Sequence, residues 1–240
     1  MIEPSATVAP SVRETAAVKV WTIVVAAGSG ERFGAAKQFE LIPAPDVRAE
    51  VERIVDRSVR LASRHSDGVV VVLPAGFVWD GPDVAVAVDG GATRSASVRN
   101  GLAEIPDDVE VVLVHDAARP MADDGVWQRV IEAVRAGSPA VVPAVPIADT
   151  LKRVDGNTVV ATVDRSDLVA IQTPQGFRLD VLRAAHAGNG EHTDDAGLVE
   201  MMGERVVTVV GDTRNLKVTT PEDLERVRWM LEATTHQGAS

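Results

Sequence analysis

Apolar positions along the chain fall into short, nearly continuous runs separated by stretches of a different period. Five runs stand out: "WTIVVAA" at 21–27, "GVVVVLP" at 68–74, "VAVAVDGG" at 84–91, "EVVLVHDAA" at 110–118 and "PAVVPAVP" at 139–146. The first, second and fourth carry almost no polar interruption, which is how a strand covered on both faces reads. Between the runs the spacing becomes helical. "DVRAEVERIVDRSVRLASRH" brings Val47, Val51, Ile54, Val55, Val59 and Leu61 near one face, and "TRSASVRNGLAEI" is a shorter candidate. "DDGVWQRVIEAVRAG" aligns Val126, Val130, Ile131 and Val134 and stops at Gly137. Strands alternating with helices predict an α/β domain with a mainly parallel sheet.

Two stretches break that rhythm. In "ADTLKRVDGNTVVATVD", at 148–164, β-type runs flank Asp155, Gly156 and Asn157, the signal of a short hairpin. Having few large apolar residues, this hairpin does not stand alone and must lie on the body of the chain or on a second subunit. Near the end, "RVVTVVGDTRNLKVTTPEDLERVRWMLEA" reads as a strand, a turn, a second short strand and a helix. The helix opens at Thr220, with Pro221 in its first turn and acids behind it. No internal repeat or low-complexity region interrupts the chain. The expected organisation is a tail over 1–19, one domain over 20–235 with the protruding hairpin at about 147–170, and a short tail over 236–240.

Composition narrows the function classes. With a formal net charge of -11, nonspecific binding to nucleic acid or to an anionic membrane is disfavoured, although a local basic cluster can still hold a nucleotide. There is no cysteine, so disulfides, thiolate metal sites and cysteine nucleophiles are excluded, and a reducing compartment, the cytoplasm, is expected. The five histidines, at 65, 115, 186, 192 and 236, include no HExxH-type pair, which argues against a zinc site. No apolar stretch reaches the roughly 18 residues of a membrane span, and the first residues lack the apolar region of a secretory signal.

Candidate chemistry begins with "VVAAGSGERFGAAKQ", a glycine turn between a strand and a helix-like segment, where backbone N–H groups can approach phosphate oxygens. A dinucleotide fingerprint needs a third glycine one position earlier and an acid at the end of the second strand, and a P-loop needs Gly-Lys-Ser/Thr; the chain has neither. It offers instead Arg32 and Lys37, cations suited to a polyphosphate whose charge grows during reaction. "VHDAARP" ends a buried strand, the usual place for ligand residues in an open α/β sheet. There Asp116 can meet a hard divalent cation and Arg119 a phosphate, unless the two merely close a turn as an ion pair. "DGGATRSASV" offers a surface for a base or ribose, or a plain turn and cap. "QTPQGF" makes the hydroxyl of Thr173 available to a ligand in an extended segment, "HTDDAGLVE" is first of all a helix start capped by Thr193, Asp194 or Asp195, and Lys217 precedes a capped helix.

The order of these motifs is more specific than any one of them. "AAGSGERF…K", "GG…R…SV", "VHDAARP", "DT(L)KR", "VDRSDL…QTPQGF", "TDDAGLVE" and "LKVTTPEDL", over roughly residues 20 to 232, resemble the 2-C-methyl-D-erythritol 4-phosphate cytidylyltransferases of non-mevalonate isoprenoid biosynthesis. The ribitol 5-phosphate cytidylyltransferases share much of the pattern. They remain an alternative, as does a diverged CTP-binding paralogue of reduced activity. The resemblance implies a Rossmann-like nucleotidyltransferase fold whose β-arm embraces a second subunit, and so a homodimer with shared sites. It also implies CTP as co-substrate and Mg²⁺ or another divalent cation. Carried onto this sequence, Arg32, Lys37 and Lys217 would be catalytic cations and Asp116 the metal-associated aspartate. Ala26, Ala27, Gly28, Gly30, Gly90, Gly91, Ser97 and Asp116 would hold the nucleotide. Arg119, Thr150, Arg165, Thr173 and Thr193 would hold the polyol phosphate, with Thr150 and Arg165 reaching across from the arm.

Overall fold

The apolar runs become the strands of one twisted sheet. The structure is a computed structural model, and it describes residues 18–28, 30, 33–34, 36–45, 49–188 and 190–237. The tail through residue 17, Arg32 and Val47 lie outside the described residues. The first half of the chain forms β1 (Val20–Val25), β2 (Leu41–Pro43), β3 (Val51–Arg53), α1 (Ile54–Ser63), β4 (Gly68–Leu73), β5 (Val86–Asp89), α2 (Arg94–Ala103), β6 (Val111–Asp116) and α3 (Asp124–Arg135). There follow β7 (Ala140–Pro146), β8 (Leu151–Asp155), β9 (Thr158–Val163), β10 (Val169–Ile171) and β11 (Gln175–Arg178). Last come α4 (Leu179–His186), α5 (Asp195–Met201), β12 (Val206–Val210) and α6 (Pro221–Gln237).

The main sheet runs in the order β5-β4-β1-β6-β11-β7-β10, with β12 also paired to β7. Pairs β4–β5, β1–β4, β1–β6 and β7–β12 are parallel, while β11 and β10 run against their neighbours. Along β4 the side chains alternate between two cores. Val69 and Val71 face the cluster that includes Val55 and Val59 of α1 and Trp127 and Val130 of α3. Val70 and Val72 face the cluster with Val98 of α2, Leu182 of α4 and Val199 of α5. Helices therefore cover both faces, which explains why the central strands read as unbroken apolar runs. A third cluster, with Ile42, Ile54, Val218 and Leu224, ties α6 to β2.

Two expectations are corrected, and one helix is new. The helix read over 46–65 starts only at Ile54, because Val51–Arg53 pairs antiparallel with Leu41–Pro43 as a small separate ribbon. The second short strand expected near the C-terminus does not form: residues 215–219 join no ladder. Instead, Val218 is fully buried and donates its N–H to the carbonyl of Ala118. Helix α4, which periodicity did not single out, follows β11 directly. The α6 start forms as expected, with Thr220 Oγ1 accepting the Asp223 N–H at 3.3 Å and Asp223 Oδ2 accepting the Thr220 N–H at 3.0 Å.

The hairpin at 148–164 forms as β8 and β9, with Gly156 at φ +54° in the turn. A φ of that sign at the first turn position costs glycine little and other residues more. Val154, Val159 and Val160 of this arm are 57%, 57% and 55% exposed.

Candidate active site

Sheet register decides where the motifs meet. Val25 at the end of β1 is level with Asp116 of β6 on one side and Val72 of β4 on the other, and Leu73 is level with Asp89 of β5. The chain runs outward from β1 through β4 to β5, then returns across β1 to β6. The loops leaving these strands diverge at that reversal and open a crevice, as in other open α/β sheets. Here the crevice has a volume of about 610 Å³. It is walled by Ala26, Ala27, Gly28 and Gly30 of the glycine loop, by Gly91 to Arg94, and by Asp116 to Ala118, with Lys37 and Lys217 at its sides.

The glycine loop is latched from beneath by a residue given no role in the sequence reading. Gln38 is buried, and its Nε2 donates to the carbonyls of Ala26 at 2.8 Å and Gly28 at 3.1 Å. Since Gln38 follows Lys37 in one short helical turn, the same latch sets where Lys37 enters the crevice. On the facing wall Gly90 lies just behind the lining. A Cβ there would come within 2.2 Å of the Ala27 side chain, so only glycine permits this approach of the two loops. Ser97 lines the crevice, but its hydroxyl is engaged internally: it donates to the Thr93 carbonyl at 2.9 Å and accepts from the Gly91 N–H at 3.1 Å. Its contribution is to hold the Gly90–Gly91 turn.

Asp116 is the one acidic side chain among the described residues of the lining. One oxygen, Oδ2, accepts from Lys217 Nζ at 2.6 Å, and the other, Oδ1, accepts from Arg94 Nε and Nη2 at 3.3 Å each. Burial pushes its carboxyl toward the neutral form, but Arg94 and Lys217 outweigh that and hold it well below the usual carboxylate range. Arg94 is in turn held above its ordinary value: burial opposes its charge, and Asp116 and Asp195 more than offset that. His115, the preceding residue, is fully buried against Trp127, with ring centroids 4.8 Å apart, and burial keeps it neutral down to a pKa of about 4. Lys217 is positioned by its neighbours. Asn215 is fully buried and donates to the Thr173 carbonyl at 2.9 Å, and Val218 is pinned in the third core cluster.

Of the residues expected at a site, Ala26, Ala27, Gly28, Gly30, Lys37, Gly91, Ser97, Asp116 and Lys217 come together around one crevice. Others do not line it. The hydroxyl of Thr173, expected to face a ligand, instead accepts the Asp116 N–H at 3.1 Å and lies 3.2 Å from His115 Nδ1. Arg119 does not pair with the Asp116 carboxylate. Its guanidinium donates to the carbonyls of Asn215 at 2.8 Å and Ile171 at 3.3 Å, while its own N–H closes the turn onto the Asp116 carbonyl. Thr150 and Arg165 are exposed at the base of the arm, where Arg165 donates to the Ala148 carbonyl. Thr193 is exposed just before α5, whose cap is Asp194, accepting from the Gly197 N–H at 3.1 Å. Sequence reasoning missed Gln38, Arg94 and Asp195 as site residues. Arg94 stood inside a quoted motif, but nothing local shows that its partners are 22 and 101 residues away.

A family model for 2-C-methyl-D-erythritol 4-phosphate cytidylyltransferase (IspD) matches residues 20–233. The chain belongs to this family. A protein of Nocardia farcinica with that name is 44% identical over 223 residues, which cover 89% of this chain and 94% of the relative. The bifunctional enzyme IspD/IspF of Solidesulfovibrio magneticus is 41% identical over 86% of this chain, and the match spans 56% of that protein's length. Among solved structures, the 2-C-methyl-D-erythritol 4-phosphate cytidylyltransferase of Thermus thermophilus superposes with a TM-score of 0.76 at 33% identity, covering 90% of this chain and 100% of that one. The mostly parallel sheet with its helices is thus the Rossmann-like nucleotidyltransferase fold of the family.

The residues present fit a divalent cation of one kind. Among the described residues no cluster of three or more His, Asp or Glu side chains forms a protein cage. A single carboxylate facing a cation-lined crevice suits an ion such as Mg²⁺, which binds through one or two carboxylates plus substrate phosphates and keeps several waters. Nor does any helix among the described residues have the length and apolarity to cross a membrane.

Proposed function

We propose that the protein transfers CMP from CTP to 2-C-methyl-D-erythritol 4-phosphate, releasing pyrophosphate and forming CDP-methylerythritol. The observation that carries this reading is one crevice of about 610 Å³ in which the glycine loop, Lys37, Lys217 and Asp116 converge, in a chain of this family. No side-chain nucleophile is needed, because the attacking phosphate oxygen is already an anion at neutral pH. That oxygen forms a bond to the α-phosphorus of CTP as the bond to the pyrophosphate oxygen breaks. The chain's task is to align the two phosphates and to meet the charge that grows on the leaving group.

Backbone N–H groups of Ala27, Gly28 and Gly30 face the triphosphate. Ala26 lines the crevice with its own N–H tied to the Val72 carbonyl at 2.8 Å, and Gly90, Gly91 and Ser97 shape the wall for cytosine and ribose. Lys37 and Lys217 supply positive charge to the phosphates, joined by Arg32. Asp116 would hold a divalent cation such as Mg²⁺, which would supply neutralisation of the phosphate charge. Arg119, Thr173 and Thr193 are assigned to the polyol-phosphate side. Of these, Thr173 acts through Asp116 and Arg119 through the Asn215 segment, given the bonds each makes.

Residues 20–235 act as one catalytic domain, and the arm at about 147–170 docks on a second copy to make a homodimer. The exposed valines on the arm support this. Thr150 and Arg165, at the arm's base and away from their own crevice, reach the partner's substrate. The cysteine-free composition suits work in the cytoplasm.

A pyrophosphate-release assay with CTP, Mg²⁺ and a panel of polyol phosphates tests the reading. Release with methylerythritol phosphate is the expected result. Release on ribitol 5-phosphate alone would move the protein to the related transferases, and CTP binding without turnover of any acceptor would make it a non-catalytic nucleotide binder.

A further inference from the structure

Behind Asp116 lies a chain of charges that extends away from the crevice. Asp195, in the first turn of α5, has a fully buried side chain, and both its oxygens are occupied. Oδ1 lies 3.0 Å from Nε2 of His186, itself buried at the end of α4, and Oδ2 accepts from Arg94 Nη1 at 2.8 Å. A carboxylate with no access to water is costly unless paired and hydrogen-bonded, so this one is held where it is by its two partners. Arg94 then turns its Nε and Nη2 to Asp116 Oδ1. One planar guanidinium thus bridges two carboxylates from α5 and β6, a task for which the fork of arginine suits and the point charge of lysine does not.

The two oxygens of Asp116 are held unequally. Arg94, on Oδ1, is clamped from behind, with its side chain 22% exposed. Lys217, on Oδ2, comes from the far side with its side chain 37% exposed, on a flexible stem. Charge gives the difference a consequence. Asp116 and Asp195 balance Arg94 and Lys217, and Arg119 adds a further positive charge that acts on Asp116 without pairing to it. A divalent cation entering at Asp116 meets repulsion from Arg94 that Asp195 offsets, and from Lys217 that only displacement removes.

We propose that Arg94, clamped by buried Asp195, is the positioning residue that keeps Asp116 aimed into the crevice, and that Asp116 passes its second oxygen from Lys217 to the divalent cation as the nucleotide enters. Lys217 is then released toward the phosphates, so one exchange loads the cation and arms the lysine. The proposal rests on Asp116 being the cation's carboxylate.

Mn²⁺ titration followed by electron paramagnetic resonance, with and without CTP, tests it on the whole protein. Asp116→Asn checks the underlying reading: Mn²⁺ binding in the presence of CTP should weaken by about tenfold or more, and unchanged binding would overturn both that reading and the exchange. Lys217→Ala, at a partly exposed side chain, checks the exchange alone. Without nucleotide this variant should bind Mn²⁺ several-fold more tightly, and equal or weaker binding sinks the hand-over. Asp195→Asn checks the clamp. Mn²⁺ binding with CTP and the Mg²⁺ needed for half-maximal velocity should both shift by about tenfold, while CTP affinity measured without metal stays within about twofold. An unmoved metal requirement, or an equal loss of metal-free CTP affinity, assigns Asp195 and Arg94 to structure only and overturns the clamp. Arg94→Lys, which keeps the charge and loses the fork, carries the same measurement if Asp195→Asn does not fold.

Discussion

The crevice and the arm are built on opposite terms. Three walls of the crevice extend strands of the main sheet: the glycine loop continues β1, Asp116 ends β6, and the Gly90–Gly91 turn continues β5. Its polar groups are held by partners far away in sequence, such as Lys217 on Asp116 and Asn215 on Thr173. The arm is held mainly by itself. Its strands pair with one another, Lys152 Nζ reaches Thr162 Oγ1 across the ribbon at 2.6 Å, and its valines face solvent. A preorganised crevice loses function when one charge is removed, whereas a ribbon with open apolar faces depends on what covers it.

Breaking the crevice should give the largest effect. Lys217→Ala is expected to lower kcat by a hundredfold or more, about 3 kcal/mol of transition-state stabilisation. The midpoint of thermal unfolding should shift little, because the side chain is 37% exposed. Steady-state kinetics beside a melting curve separate the two, and a large drop in melting temperature would mean that Lys217 works through stability instead.

Breaking the arm comes next. Arg165→Ala should cost roughly tenfold to a hundredfold, mainly as a higher KM for the polyol phosphate, although Arg165 lines no part of its own crevice. Mixing this variant with Lys217→Ala protein should recover activity, since one of the two mixed sites then carries neither defect. No recovery after confirmed subunit exchange would mean that each site is built from one chain. A charge on the ribbon face, Val159→Asp, should move the protein from dimer to monomer in sedimentation velocity, with circular dichroism unchanged. If the dimer persists, the arm is not its interface.

Smaller effects are expected at Gln38 and Asp223. Gln38→Ala removes both hydrogen bonds of the loop latch, each worth about 1 kcal/mol net, and should raise the KM for CTP by roughly threefold to tenfold. An unchanged KM would show that the loop keeps its shape without the latch. Asp223→Ala removes the acceptor for the N–H groups of Thr219 and Thr220 just beyond Lys217. The expected cost is about 1 kcal/mol in denaturant unfolding, with kcat nearly unchanged. A kcat loss larger than the stability loss would tie the cap to the placement of Lys217.

Legibility in the sequence followed the range of the interactions. The buried strands, helices α2 and α3, the α6 start and the hairpin turn could all be read, since each depends on periodicity or on turn and cap residues a few positions apart. The region 46–65 misled because Val51 fits a helical spacing with Ile54 and Val55, while its backbone pairs with Pro43 of β2. Position 218 looked like a strand residue, but its burial under α6 required no ladder. The motif residues of the crevice were legible as types. The bonds that tell Ser97 and Thr173 from ligand-facing hydroxyls were not, because their partners belong to other loops.

Local spacing and the order of motifs carry the α/β alternation, the glycine loop, the arm and the family. Which side chains share the crevice, and which oxygen of Asp116 each cation takes, emerges from the packed fold alone. It alone revealed that Asp195 stands behind Arg94. The reason is physical: a charge is positioned by the low-dielectric packing and the opposite charges around it, and in this chain those partners lie as many as 101 residues apart.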